Sequence, residues 1–155
     1  MKSTKNWGLT YLKQGILLFW GMWFLIAFFT NVTDFLISTH IVTPIAFRSG
    51  NYHALEKVLS IYHTPTYFLN LLFSMDILVQ GSSAILFLIA GFSFVNKEIP
   101  WKIINTAFFI SMALWAAFLV MEEIFIAYSF EGTHIGLFEF ELISLLTLHL
   151  LIAVE

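Results

Sequence analysis

The chain has 155 residues, of which 59% are hydrophobic and 11% charged, with eighteen phenylalanines and a formal net charge of −3. Soluble domains carry about a quarter charged residues, and so short a chain has too little interior to hide this much apolar surface, so lipid must cover it. The slight acidity excludes a broad basic nucleic-acid face, and the absence of cysteine excludes disulfides, thiolate metal sites and dithiol redox chemistry.

The length gives a single domain, 1–155. Four apolar stretches reach the ~20 residues needed to cross about 30 Å of hydrocarbon as helix. They fall at about 15–38, 66–95, 102–128 and 135–154. Alternation at period two is missing, so helices rather than a barrel satisfy the backbone. The first stretch is too long for a signal-peptide core and no A-x-A-like site follows it, so it reads as a retained helix.

The connector from Thr39 to Thr64 is the long one. Within it Tyr52, Leu55, Leu59 and Tyr62 repeat at helical spacing against His53, Glu56, Lys57 and Ser60. This predicts a short amphipathic helix on the membrane surface. Thr64-Pro65 supplies an N-cap and a first-turn proline for the second span. Residues 96–100 form a short polar turn, and Ser129 to His134 a tight polar connector. Ala113, Ala116 and Ala117 give the third span a small-residue strip for close helix approach.

Orientation follows from lysine and arginine. Lys2, Lys5, Lys13, Lys97 and Lys102 flank one side, and Arg48 and Lys57 the other. Both termini are therefore expected in the cytoplasm. The fold expectation is an all-α integral membrane protein, a four-transmembrane-helix bundle with one interfacial helix between spans 1 and 2.

In that arrangement eight of the ten acids and four of the five histidines lie on the extracytoplasmic half. Counted from the inner ends of the spans, Asp34, Asp76, Glu122 and Glu139 stand roughly 24–29 Å up, at about 1.5 Å per residue. Asn31 and Asp34 share a stripe, as do Asp76, Gln80 and Ser83, and Glu141, Leu145 and His149 step by four. Polar stripes face the bundle interior because lipid cannot satisfy them. Carboxylates converging in low dielectric take up protons or hold a cation. Carboxylate plus imidazole without sulfur suits a hard-to-borderline divalent metal ion.

The expected metal ligands are Asp34, Asp76, Glu122, Glu141, His134 and His40, with Asn31, Gln80, Glu123 and His149 as supporting or relay groups. Glu131-Gly132-Thr133-His134 has Glu-x-x-His spacing, set in a connector rather than a helix. The functional expectation is a metal-binding membrane protein with a redox or hydrolytic role. The alternatives are an accessory subunit of a larger membrane complex and a proton- or cation-coupled carrier. The expected partners are the lipid bilayer and either a second copy or a larger complex, with no nucleic acid. No particular reaction follows from these residues.

Overall fold

A computed structural model describes residues 7–93 and 100–153, and the side chains of 8–93 and 100–151. Lys2, Lys5, Lys97, residues 96–99 of the expected turn and the last residues of two expected spans, 94–95 and 154, lie outside the described residues. Among the described residues the regular elements are all helices, without strands. In chain order they are α1 (Trp7–Ser38), α2 (Asn51–Leu59) with a following 3-10 turn (Ser60–Tyr62), α3 (Thr66–Ser93), α4 (Trp101–Ile124) and α5 (Tyr128–Ala153). Four of these, α1, α3, α4 and α5, are long and apolar enough to cross a membrane.

The long helices are neighbours in the order α1, α3, α4, α5, with a lighter contact between α5 and α1. The closest pair is α1 with α3. A Cβ on Gly21 would stand 2.8 Å from the Leu88 side chain, and one on Gly91 2.7 Å from Leu18. The missing side chains let the two backbones approach, as small residues do between apolar helices. The alanine strip expected to serve this purpose on α4 does not: Ala113 and Ala117 are exposed.

Below the polar level the core is aromatic. Phe24 stacks on Phe87 at 5.9 Å and on Trp115 at 5.8 Å, and Phe108 meets Phe87 edge-on at 4.8 Å. Leu17, Ala84, Ala90, Ile104 and Ala107 complete a dry plug of fully buried residues. Such rings bury large areas in offset or edge-to-face geometries, and here they join α1, α3 and α4.

The amphipathic helix is present, but its apolar face packs against the bundle. Tyr52 and Leu59 are buried with Leu69, Phe73 and Ile77, and Phe35 and Leu55 pack against them. The polar connector expected at 129–134 is instead the first turns of α5, and the third span stops at Ile124 rather than 128. The break falls at Phe125–Ala127, where Ile126 adopts a left-handed φ of 54°.

Three non-glycine residues, His40, His63 and Ile126, have positive φ among the described residues. Each ends a helix in the same way. Ile41 donates to the Leu36 carbonyl, Thr64 to Leu59 and Ala127 to Glu122. These are the 6→1 bonds of a Schellman motif, in which the residue before the donor is left-handed. His40 thus serves as a helix stop at an exposed position, away from the carboxylates it was expected to join.

Candidate functional site

The four carboxylates expected to face the interior are all buried, with relative exposures of 2% for Asp34, 7% for Asp76, 6% for Glu122 and 0% for Glu141. They belong to two separate networks. Among the described residues no three His, Asp or Glu side chains come close enough to hold one metal ion, so the six expected ligands do not share a single centre.

The first network joins α1, α2 and α3. Asp34 Oδ2 accepts the Tyr52 backbone N–H at 2.8 Å and the Ser49 hydroxyl at 3.1 Å. A carboxylate at that place caps the first turn of α2 and sits against the positive end of its dipole. One turn deeper, Asn31 donates to Asp76 at 3.1 Å and to Gln80 at 2.9 Å, while Gln80 donates to Asp76 at 2.8 Å. Asn51 closes the set by donating to Asn31 at 3.0 Å. The Asp76–Gln80 stripe and Asn31 were expected to face the bundle interior; all three are buried, and there they meet one another. Asn51, Ser49 and the Tyr52 backbone come from the long connector, whose return onto α1 has no periodic signal.

Beside this network the Tyr52 hydroxyl donates to Asn70 at 2.6 Å. Burial, with the Glu56 carboxylate as a second cause, pushes the Tyr52 phenol above the ordinary tyrosine range. It therefore remains a donor at neutral pH.

The second network joins α4 and α5. Glu141 accepts the Trp115 indole N–H at 2.6 Å and the Ser111 hydroxyl. Two turns further out, Glu122 Oε1 is hydrogen-bonded to His134 Nδ1. The His134 ring lies nearly parallel to Phe118 at 4.8 Å and to Trp115 at 5.9 Å. Trp115 and Glu122 are seven residues apart on α4, and His134 and Glu141 seven apart on α5. Seven residues are close to two turns, so antiparallel helices pair both couples at once.

That matched spacing was present in the sequence. Trp115 reads by itself as a packing residue, the commoner role of a core tryptophan, and it does pack in the core; its second role, and that of Ser111, needs the partner helix to be seen.

Other expected members fall elsewhere. Glu123 and His149 are exposed, and His149 stacks on Trp101 at 4.8 Å. Glu131 is on a regular helix with His134, but His134 bonds to Glu122. Glu139, counted as the fourth acid of the outer level, is exposed, while Glu141 lies deeper at the level of Trp115. Lys13, read as a flanking cation, is 1% exposed.

Among the described residues two buried side-chain atoms have no hydrogen-bond partner in the protein: Ser83 Oγ and Glu122 Oε2. An unpaired carboxylate oxygen in low dielectric costs several kcal/mol unless a proton or a cation meets it, of order 1–3 kcal/mol even for a neutral group. Among the described residues Glu122 is thus the one acid with a carboxyl oxygen that is both buried and without a hydrogen-bond partner. Comparison with protein-family models, curated proteins and solved structures finds no match for the chain.

Proposed function

We propose that this chain is an integral membrane protein of four spans, with both termini cytoplasmic, and that Glu122 and His134 bind a small cation from the extracytoplasmic side. The observation that carries the reading is the Glu122 carboxyl, 94% buried by its 6% exposure, with Oε1 on His134 and Oε2 unmatched. Carboxylate and imidazole without sulfur favour a divalent metal ion such as manganese or zinc. With two protein ligands, water completes the coordination and the affinity is modest.

The aromatic plug supports a one-sided site over a carrier. Phe24, Phe87, Phe108 and Trp115 fill the bundle beneath the level of Asp76 and Glu122, with Glu141 tied to Trp115 inside it. Alternating access is typically built on discontinuous helices at a repeat interface, and each of the four long helices is unbroken over its described length.

The test is thermal unfolding of the detergent-purified protein with added Mn2+ or Zn2+. A ligand that prefers the folded state stabilises it by about 2.7 kcal/mol at a hundredfold excess over Kd. The wild type should gain stability, and Glu122→Gln and His134→Gln should not. No shift in the wild type, or an equal shift in both variants, rejects the metal. Orientation is tested separately by single cysteines at Ser3, Ser60 and Asn96. An impermeant thiol reagent applied from outside should label Ser60→Cys alone.

A second reading, an accessory subunit of a larger complex, is favoured by α5. Only 11% of its most apolar stretch is buried, against 28–33% for the other three long helices. Cysteine pairs on its outer face, at Ile143 and Leu146, should cross-link to a neighbouring chain if that reading holds.

A further inference from the structure

The connector between α1 and α2 does not stand above the bundle; it folds back down along α1. At its start, Ile41 and Val42 donate to the Leu36 carbonyl at 2.9 and 3.2 Å. At its end, the Ser49 N–H donates to the Thr30 carbonyl at 3.3 Å. Leu36 and Thr30 are six residues apart on one helix, so the connector descends about 9 Å along it. The first turn of α2 sits at that lower level, where Tyr52 meets Asp34 and Asn51 meets Asn31.

Every residue from 40 to 50 is exposed, yet Ile41, Val42, Ile45 and Phe47 are large and apolar, at 67%, 40%, 49% and 54% exposure. The neighbouring candidate span, Gly8–Ser38, has 31 residues. At about 1.5 Å per residue that length matches the 40–45 Å of a bilayer with its headgroups. Ser38 then stands at the outer edge of the headgroups, and Thr30, eight residues or about 12 Å lower, within roughly 5–7 Å of the hydrocarbon boundary on its inner side. The exposed apolar side chains belong to the stretch anchored at its start to Leu36 and at its end to Thr30.

We propose that residues 41–48 form a strap lying in the outer leaflet, with Ile45 and Phe47 at the boundary between headgroups and acyl chains. The inference rests on the membrane-spanning reading above, but not on the cation site. Two features set the depth. The strap is irregular, so its backbone groups need water and exclude it from the hydrocarbon. Arg48 is at its lower end, and its long stem can run along apolar surface while the guanidinium returns to the phosphates. The helix along which the strap is anchored, α1, itself exposes Ile26 and Phe29 just below Thr30, and an apolar span face of that kind is covered by lipid, which makes lipid the occupant of the strap as well. A second copy or another protein would cover the strap instead.

The absence of cysteine makes the test direct. Nitroxides are placed singly at Ile45→Cys, Phe47→Cys, Lys57→Cys and Ile85→Cys in the full chain, reconstituted into phosphatidylcholine vesicles. Collision with oxygen, which partitions into lipid, is compared with collision with a water-soluble nickel chelate. The oxygen-to-nickel ratio should be several-fold higher at Ile45 and Phe47 than at the exposed polar position Lys57, approaching that at Ile85 on α3. Ratios at Ile45 and Phe47 equal to Lys57, with Ile85 still lipid-like, overturn the strap alone. A water-like ratio at Ile85 overturns the membrane reading on which it rests. Protection from both reagents at Ile45 and Phe47 overturns the lipid assignment in favour of a protein partner.

Discussion

Trp115 serves two carboxyl groups at once: its indole N–H donates to Glu141 at 2.6 Å, and its ring stacks on His134, the partner of Glu122. The deeper acid and the outer site are therefore coupled through one side chain. Trp115→Phe keeps one aromatic ring but removes the indole donor and some core volume, leaving a carboxyl oxygen of the fully buried Glu141 unmatched. Loss of a partner to a buried polar group costs about 1–3 kcal/mol. Glu141→Gln in the same background should recover part of that loss, because the amide carries less of a charge burden. Thermal unfolding in detergent measures both. An unchanged melting temperature for Trp115→Phe would show that the indole bond contributes nothing.

Asp34 holds α2 by its N-terminus. Asp34→Ala removes the acceptor for the Tyr52 N–H and the Ser49 hydroxyl. Caps of this kind are worth about 0.5–2 kcal/mol. Because α2 is short, the loss should appear locally, as faster hydrogen exchange at residues 51–59 with little change in α3. Asp34→Asn keeps an acceptor oxygen and should exchange almost as slowly as the wild type. Uniform acceleration across the chain, rather than in α2, is the outcome that contradicts this view.

Ile126 carries backbone strain on the surface. It is 61% exposed and left-handed at φ 54°, between α4 and α5. A left-handed conformation costs an L-residue roughly 1–2 kcal/mol that glycine does not incur. Ile126→Gly should accordingly raise the melting temperature, after the entropy that glycine adds to the unfolded chain. Ile126→Val keeps the β-branch and should give no gain. A lowered melting temperature for the glycine variant would mean that the side chain packs usefully in the bilayer.

Tyr52 fixes the sign of an alkaline effect. Its phenol is held above the ordinary tyrosine value of about 10. Below pH ~10 the group is neutral in both folded and unfolded chains, and its contribution is intact. As pH rises further the unfolded chain ionises first, so stability falls toward the raised folded value. Tyr52→Phe should start less stable, for want of the bond to Asn70, and show a shallower decline above pH ~10. An identical alkaline slope in the two proteins places the loss at other groups.

Much of the fold was legible because its cause is one-dimensional. Twenty or more apolar residues in a row have one economical backbone solution in lipid, and that marks all four long helices from composition alone. The Asp76–Gln80 stripe was equally readable, since a polar face on such a helix must turn inward. So was α2, from its 3.6-residue period.

Tertiary structure decided the partners. A stripe states which face is polar, but not which helix it meets. Asp34 capping α2, rather than meeting Asp76 and Glu122 around an ion, depends on a connector that folds back along α1. The helix ends at His40, His63 and Ile126 escaped notice because glycine or asparagine is the usual signal for a left-handed stop. There the closing 6→1 bond and the packing of the next helix hold other residues in that conformation. The single-level acidic cluster dissolved for the same physical reason: burial makes each carboxyl seek the nearest donor, and in this bundle those donors are Asn31, Gln80, Ser111, Trp115 and His134 on neighbouring turns and helices.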